Sequence, residues 1–250
     1  MKKLLFILLS FPFFVCAKEL NTSKTIILKT EKASLSNNYD SQSSNSVEFF
    51  LKRSDDFMGG IKGEKISRYG LNDSRIEGSF IAPISKELQG TISYTKADKG
   101  VIIPKTTIFG KLLYDFDNSL LVSLALNSNK YTPGAQSNTS TIEFINYYKK
   151  FQFSYAHGIT NVKNAGQSTN DKITTHYFYD NHHTAISLSS GKELEALKNG
   201  SVLSLDVKSM AVYGQYWPLK KWGLGYSANY SEQGDLYIKK ETSLAIIHRF

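Results

Sequence analysis

The residues that could do chemistry in this chain are few. Its histidines are His157, His176, His182, His183 and His248. Asp180 beside His182-His183 suggests a metal site, but neighbouring strand residues point to opposite faces and cannot converge on one ion. No H-E-x-x-H or H-x-x-E-H spacing occurs. Ser154 and His157 are three apart and cannot share a strand face. A lipid-acting hydrolase would need Ser, His and a carboxylate or amide converging in space, for which His157 with Ser187 or Ser189 is the one candidate set. Gly59-Gly60 and Gly223/Gly225 match no phosphate-loop template and read as close backbone approach or bulges within strands. The expectation is therefore a non-enzymatic protein with no cofactor and no metal.

The elements that would position these residues are short amphipathic strands. Period-2 runs lie near 25–36, 46–53, 58–66, 75–84, 88–96, 106–115, 120–127, 139–149, 151–161, 172–179, 183–191, 203–217, 221–231 and 236–250. Only Gly191–Asn199 offers helical potential, read as a helical loop tip. From Trp222 one face carries Trp222, Leu224, Tyr226, Ala228 and Tyr230, while the other carries Gly223, Gly225, Ser227, Asn229 and Ser231. Phe151, Phe153, Tyr155, His157 and Ile159 form the larger face of another strand. Large apolar groups on one face and small polar ones on the other fit the lipid and lumen sides of a transmembrane barrel.

Connections read as alternately tight and long. The tight joints are Ser54–Asp56, Ser85–Glu87, Phe116–Ser119, Lys149–Lys150, Asp180–His182 and Pro218–Lys220. The long ones are Asn37–Asn45, Tyr69–Ser74, Ala97–Lys105, Asn129–Asn138, Val162–Asp171 and Lys192–Gly200, with the short Glu232–Asp235 breaking the pattern. Outer-membrane barrels place short turns in the periplasm and longer loops outside. Trp217 and Trp222 flank one tight turn and, with Tyr226, read as an interfacial aromatic belt. The fold class is thus all-β, an antiparallel transmembrane barrel of about fourteen strands, with twelve the alternative.

The N-terminus points to the same compartment. Lys2 and Lys3 precede an apolar run, Leu4–Phe14, and Val15-Cys16-Ala17 is a small-residue cleavage site. Residues 1–17 are read as a signal peptide and 18–250 as the barrel. Lipidation at Cys16 fits less well, because Phe13-Phe14-Val15 departs from the Leu-Ala-Gly pattern. The chain has 15 Tyr and 15 Phe against 2 Trp, and a formal charge of +8. Export removes it from nucleic acid, so a phosphate-rich lipopolysaccharide surface or an acidic polysaccharide is the expected counter-charge if there is one, with mere solubility the default explanation. The terminal Phe250, closing an amphipathic strand, reads as the address shown to the barrel-insertion machinery, and the location expected is the outer membrane.

The stretch Asp171–Phe250 resembles the YaiO family of outer-membrane barrels. The matching residues are Gly191 at a strand end, Ser201-Val-Leu-Ser-Leu, Val212-Tyr-Gly-Gln-Tyr, Trp222-Gly-Leu-Gly-Tyr and Ser243-Leu-Ala-Ile-Ile-His-Arg-Phe, with Val101-Ile-Ile-Pro upstream. The resemblance implies a barrel alone, structural or assisting envelope polysaccharide handling. A small porin-like channel is the alternative, and a lipid- or lipopolysaccharide-modifying enzyme a third reading. Inward positions are expected to include Glu48, Lys52, Glu77, Glu143, Asp206, Lys208, Lys239, Glu241 and Arg249. Phe50, Ile81, Ile145, Tyr147, Met210 and Tyr216 join them, and with no plug domain these side chains alone would narrow the bore.

Overall fold

In the computed structural model the described residues are 22–53, 57–116, 119–132, 134–163, 166–196 and 202–250. They form fourteen antiparallel strands: β1 Ser23–Leu35, β2 Gln42–Lys52, β3 Met58–Arg68, β4 Leu71–Pro83, β5 Leu88–Ala97, β6 Thr106–Asp115 and β7 Leu120–Lys130. The second half continues with β8 Gln136–Tyr148, β9 Phe151–Val162, β10 Gly166–Tyr179, β11 His182–Ala196, β12 Val202–Tyr216, β13 Trp222–Gln233 and β14 Tyr237–Arg249. Each strand pairs with its sequence neighbours, and β1 pairs with β14, so the sheet is a closed barrel. Closure leaves no edge strand, which is what a sheet in hydrocarbon requires.

Side-chain alternation sorts polarity by face. Leu28, Val47, Ile61, Ile76, Ile92, Leu124, Leu126, Ile173, Leu188 and Leu244 are exposed outward. Ser46, Thr95, Ser123, Ser154, Thr174, Ser187, Ser231 and Ser243 are buried inward. An apolar exterior around a polar interior is the inverse of a soluble sandwich and matches a bilayer outside and water inside. The chain is an outer-membrane β-barrel. The end that carries both Lys24 and Phe250 also carries the two-residue turns Lys149–Lys150 and Asp180–Asn181, and corresponds to the periplasmic side.

The connections differ from the sequence expectation. Tyr69–Ser74 is not a long loop but a two-residue turn, Tyr69-Gly70, with φ of 54° and 71°. Positive φ at both central positions is the twist-matched hairpin turn. Val162–Asp171 shrinks similarly, because β10 begins at Gly166. Loop length therefore segregates less by end than the sequence suggests. The polar residues counted as loop instead extend strands beyond the apolar band, where both faces meet water. Gly191–Ala196 is strand, not helix, and 197–200 lie outside the described residues. Ser54–Asp56 lies outside them too.

Candidate functional site: the charged lumen

Inward alternation on β1–β4 brings opposite charges together across neighbouring strands. Glu48 on β2 pairs directly with Lys62 on β3, and Lys62 with Glu77 on β4. Lys62 Nζ lies 3.4 Å from Glu48 and 3.8 Å from Glu64. Arg75 Nε donates to Glu64 Oε2 at 2.6 Å. Glu77 accepts from the Thr95 hydroxyl at 3.2 Å. A second group lies on β6–β8, where Glu143 takes Lys111 at 3.0 Å and the Ser123 hydroxyl at 3.2 Å. Lys29 meets Glu31 at 2.9 Å, and Lys239 pairs with Glu241. Carboxylates and cations so arranged satisfy one another along the wall, and their remaining capacity is open to water.

A ring of fourteen strands about 4.8 Å apart and tilted by about 40° has a backbone radius of roughly 14 Å. Long charged side chains reaching in from this wall narrow the bore. At the extracellular mouth one loop also folds inward. Residues 98–105 place Ile102 and Ile103 against Ile66, Leu71 and Ala97, with Ile102 1% exposed. Gly100 turns there with φ +70°, and a Cβ would sit 2.6 Å from Lys105 Cα. Asp73 Oδ1 accepts the Ser74 and Lys99 amides at 2.9 and 3.0 Å, and Oδ2 the Gly100 amide at 2.8 Å. The bore is thus narrowed by more than strand side chains, contrary to the sequence expectation. Nearby, the buried Tyr69 and Tyr237 rings pack with Tyr39, joining three extracellular connections.

Of the inward positions expected from sequence, Glu48, Phe50, Glu77, Glu143, Ile145, Lys239 and Glu241 face the lumen. Asp206, Lys208, Met210 and Tyr216 do not: they are exposed, with Met210 51% and Tyr216 46% accessible. On β12 the inward set is Val207, Ser209, Ala211, Tyr213 and Gln215. Lys62, Glu64, Arg75 and Lys111 were missed, although Lys62-Gly63-Glu64 and Arg75-Ile76-Glu77 carry the alternation that would have found them. Asp73 had no such signal, because its partners are backbone amides 26 and 27 positions away.

The remaining sequence candidates fall in separate places. Trp222 is exposed, its ring 4.1 Å from that of His248. Tyr226 gives its hydroxyl to a 2.6 Å hydrogen bond with Thr184. Trp217 instead is 9% exposed, with the Arg249 guanidinium 3.6 Å over its ring, and closes over Gly223. Phe250 is exposed, and its amide donates to the Lys24 carbonyl. His183 faces His176 within the lumen, whereas His182 stacks outward on Tyr216 and accepts the Trp217 amide, so the two adjacent imidazoles do diverge. His157 faces outward, its Nδ1 2.8 Å from Asp171, which also accepts the Tyr155 hydroxyl. Ser187 lies on the opposite, inner face, buried against Thr174, and Ser189, two residues on, shares that face and is bonded to Ser209. Neither serine can complete a triad with His157.

This geometry defines a class, the closed antiparallel β-barrel of Gram-negative outer membranes. Among solved structures the chain is similar to the Acinetobacter baumannii outer membrane protein Omp33, with TM-score 0.55 and 10% identity over 91% of this chain and 99% of that one. It is also similar to an anion-selective porin from Comamonas acidovorans, at 0.53 and 11% over 93% and 100%. A third is the CymD monoaromatic hydrocarbon channel, at 0.55 and 10% over 91% and 87%. At these identities the likeness is one of fold. No family model and no curated protein matches the chain.

Proposed function

We propose that the protein is a narrow channel for small polar solutes across the outer membrane. The observation that carries this reading is the set of paired charges of both signs on a largely polar inner face. Lysines and glutamates held toward the axis keep the lumen wet, which supports a path for polar solutes. Paired charges leave no strong field of one sign, so the channel discriminates weakly between cations and anions. The solved channels and porins of similar fold support the reading. The resemblance of residues 171–250 to the YaiO family supports a second role for the same barrel, in envelope polysaccharide handling, but the lined lumen favours the channel as the principal activity.

The test is planar-bilayer recording on the refolded mature chain. Small, stable steps with weak ion preference are expected, together with liposome swelling by amino-acid-sized solutes but not oligosaccharides. Complete absence of conductance from correctly refolded barrel overturns the channel. Large, general-porin steps overturn the narrow bore.

A further inference from the structure

Several lysines of the barrel sort by face, although outward Lys192 does meet Asp206 at 3.8 Å. Inward Lys29, Lys62, Lys111 and Lys239 each meet a carboxylate. Outward Lys32, Lys65, Lys96 and Lys240 are exposed, and none has an ion-pair partner among the described residues. These four follow the apolar band along their strands: Leu28 precedes Lys32, Ile61 precedes Lys65, Ile92 precedes Lys96, and Leu244 lies on the periplasmic side of Lys240. They form a cationic rim at its extracellular edge, the height at which lipid headgroups sit.

Two of these lysines share a groove of about 620 Å³ on the outer wall of β12, β13, β14 and β1. Its registers form two rows. Met210 opposes Tyr230, Tyr230 opposes Lys240, and Lys240 opposes Ser34. Val212 opposes Ala228, Ala228 opposes Thr242, and Thr242 opposes Lys32. Lys32 and Lys240 are therefore diagonal neighbours, close enough for one multivalent anion to reach both. The small Ala228 makes the floor concave between Met210, Val212 and Tyr230. Glu232, one outward position beyond Tyr230, is engaged by the Tyr230 hydroxyl at 3.4 Å.

We propose that this groove binds a phosphorylated, multiply acylated glycolipid of the outer leaflet, its phosphate on Lys32 and Lys240 and an acyl chain on the floor around Ala228. The inference rests on the outer-membrane placement and not on the channel reading. Apolar floor and unpaired ammonium groups sit side by side in this groove at the extracellular edge, whereas the groove of Lys149, Lys150, Phe151 and Tyr177 lies at the periplasmic end, and an amphiphile with phosphate next to its acyl chains fills both parts. A headgroup carried on a sugar is wide enough to bridge two strands, which favours a glycolipid over a phosphatidyl lipid.

Native mass spectrometry of the refolded mature chain tests this with three probes: a bis-phosphorylated acylated disaccharide lipid, the same lipid after dephosphorylation, and phosphatidylglycerol. The wild type is expected to retain the first at least fivefold better than either of the others. Lys32→Gln with Lys240→Gln is expected to abolish that preference, as is Ala228→Trp, which fills the floor. Lys149→Gln, at the periplasmic end, is expected to retain it. Heat-modifiable migration verifies that each variant is folded, and unchanged bilayer conductance of the double variant separates lipid binding from the channel reading. Equal retention of the dephosphorylated lipid, equal retention of phosphatidylglycerol, or full retention by the double variant overturns the proposal.

Discussion

Asp73 fastens the loop at the extracellular mouth, and replacing it by Ala gives a prediction with a magnitude. Its carboxylate is 4% exposed and accepts two amides of the loop, Lys99 and Gly100, besides that of Ser74. Hydrogen bonds to a carboxylate contribute about 1.5 kcal/mol each at the low end, so releasing two favours loop opening by about 3 kcal/mol. At about 1.4 kcal/mol per decade, the opening equilibrium shifts by roughly 10². Burial of Ile102 and Ile103 persists and contributes about 1.5–3 kcal/mol for each side chain. The loop of the variant therefore stays docked most of the time but opens about a hundredfold more often. Limited trypsinolysis at Lys99 and Lys105 of the refolded barrel reads this population directly, as does amide exchange at Gly100, provided closing outruns cleavage or exchange. Asp73→Asn, which keeps one acceptor oxygen, should fall between. Cleavage and exchange rates for Asp73→Ala within twofold of wild type, on a barrel still heat-modifiable, would refute the anchoring role.

Other outcomes follow from the same geometry. A Cβ at Gly214 would lie 2.3 Å from the His183 carbonyl oxygen and 2.6 Å from the Tyr226 hydroxyl. Gly214→Val should lower stability by about 1–3 kcal/mol in urea-gradient refolding, and an unchanged midpoint would contradict the close approach. Deleting Phe250 should reduce the folded fraction in vivo, seen as loss of heat-modifiable migration, far more than His183→Ala does. A protease site placed in residues 131–135 should be cleaved on intact cells, and one in residues 218–220 only after permeabilisation; the reverse pattern would invert the barrel.

Every strand was legible in the sequence, because period-2 alternation is the direct imprint of a wall with lipid on one side and water on the other. Leu224, Tyr226 and Tyr230 against Ser227, Asn229 and Ser231 show it without ambiguity. The same logic failed above the membrane. On β12 Asp206 and Lys208 are polar yet face outward, because that part of the strand has risen past the hydrocarbon and either face can be wet there. Loop lengths were overestimated for the same reason: Leu71-Asn72-Asp73 reads as turn chemistry by composition but is strand by pairing. The lumen's ion pairs were half legible, since alternation assigns a side but not a partner. The inward fold of 98–105 was not legible at all, because Ile102 is buried by residues that come from other hairpins.

Closure of the barrel through β1 and β14 has a consequence for the order of events during assembly. Thirteen of its seams are local hairpins between sequence neighbours, but the fourteenth joins distant segments, with Ile238 donating to Ser36 across 202 positions. Loop-closure entropy rises by about 0.6 kcal/mol for each doubling of length, so this seam carries about 3–4 kcal/mol more than a hairpin does. It is formed last, and until it forms the half-built sheet exposes two unpaired edges that hydrocarbon will not solvate. The meeting of the chain's two ends is then the late event of folding, and until it occurs two strand edges need shielding from lipid.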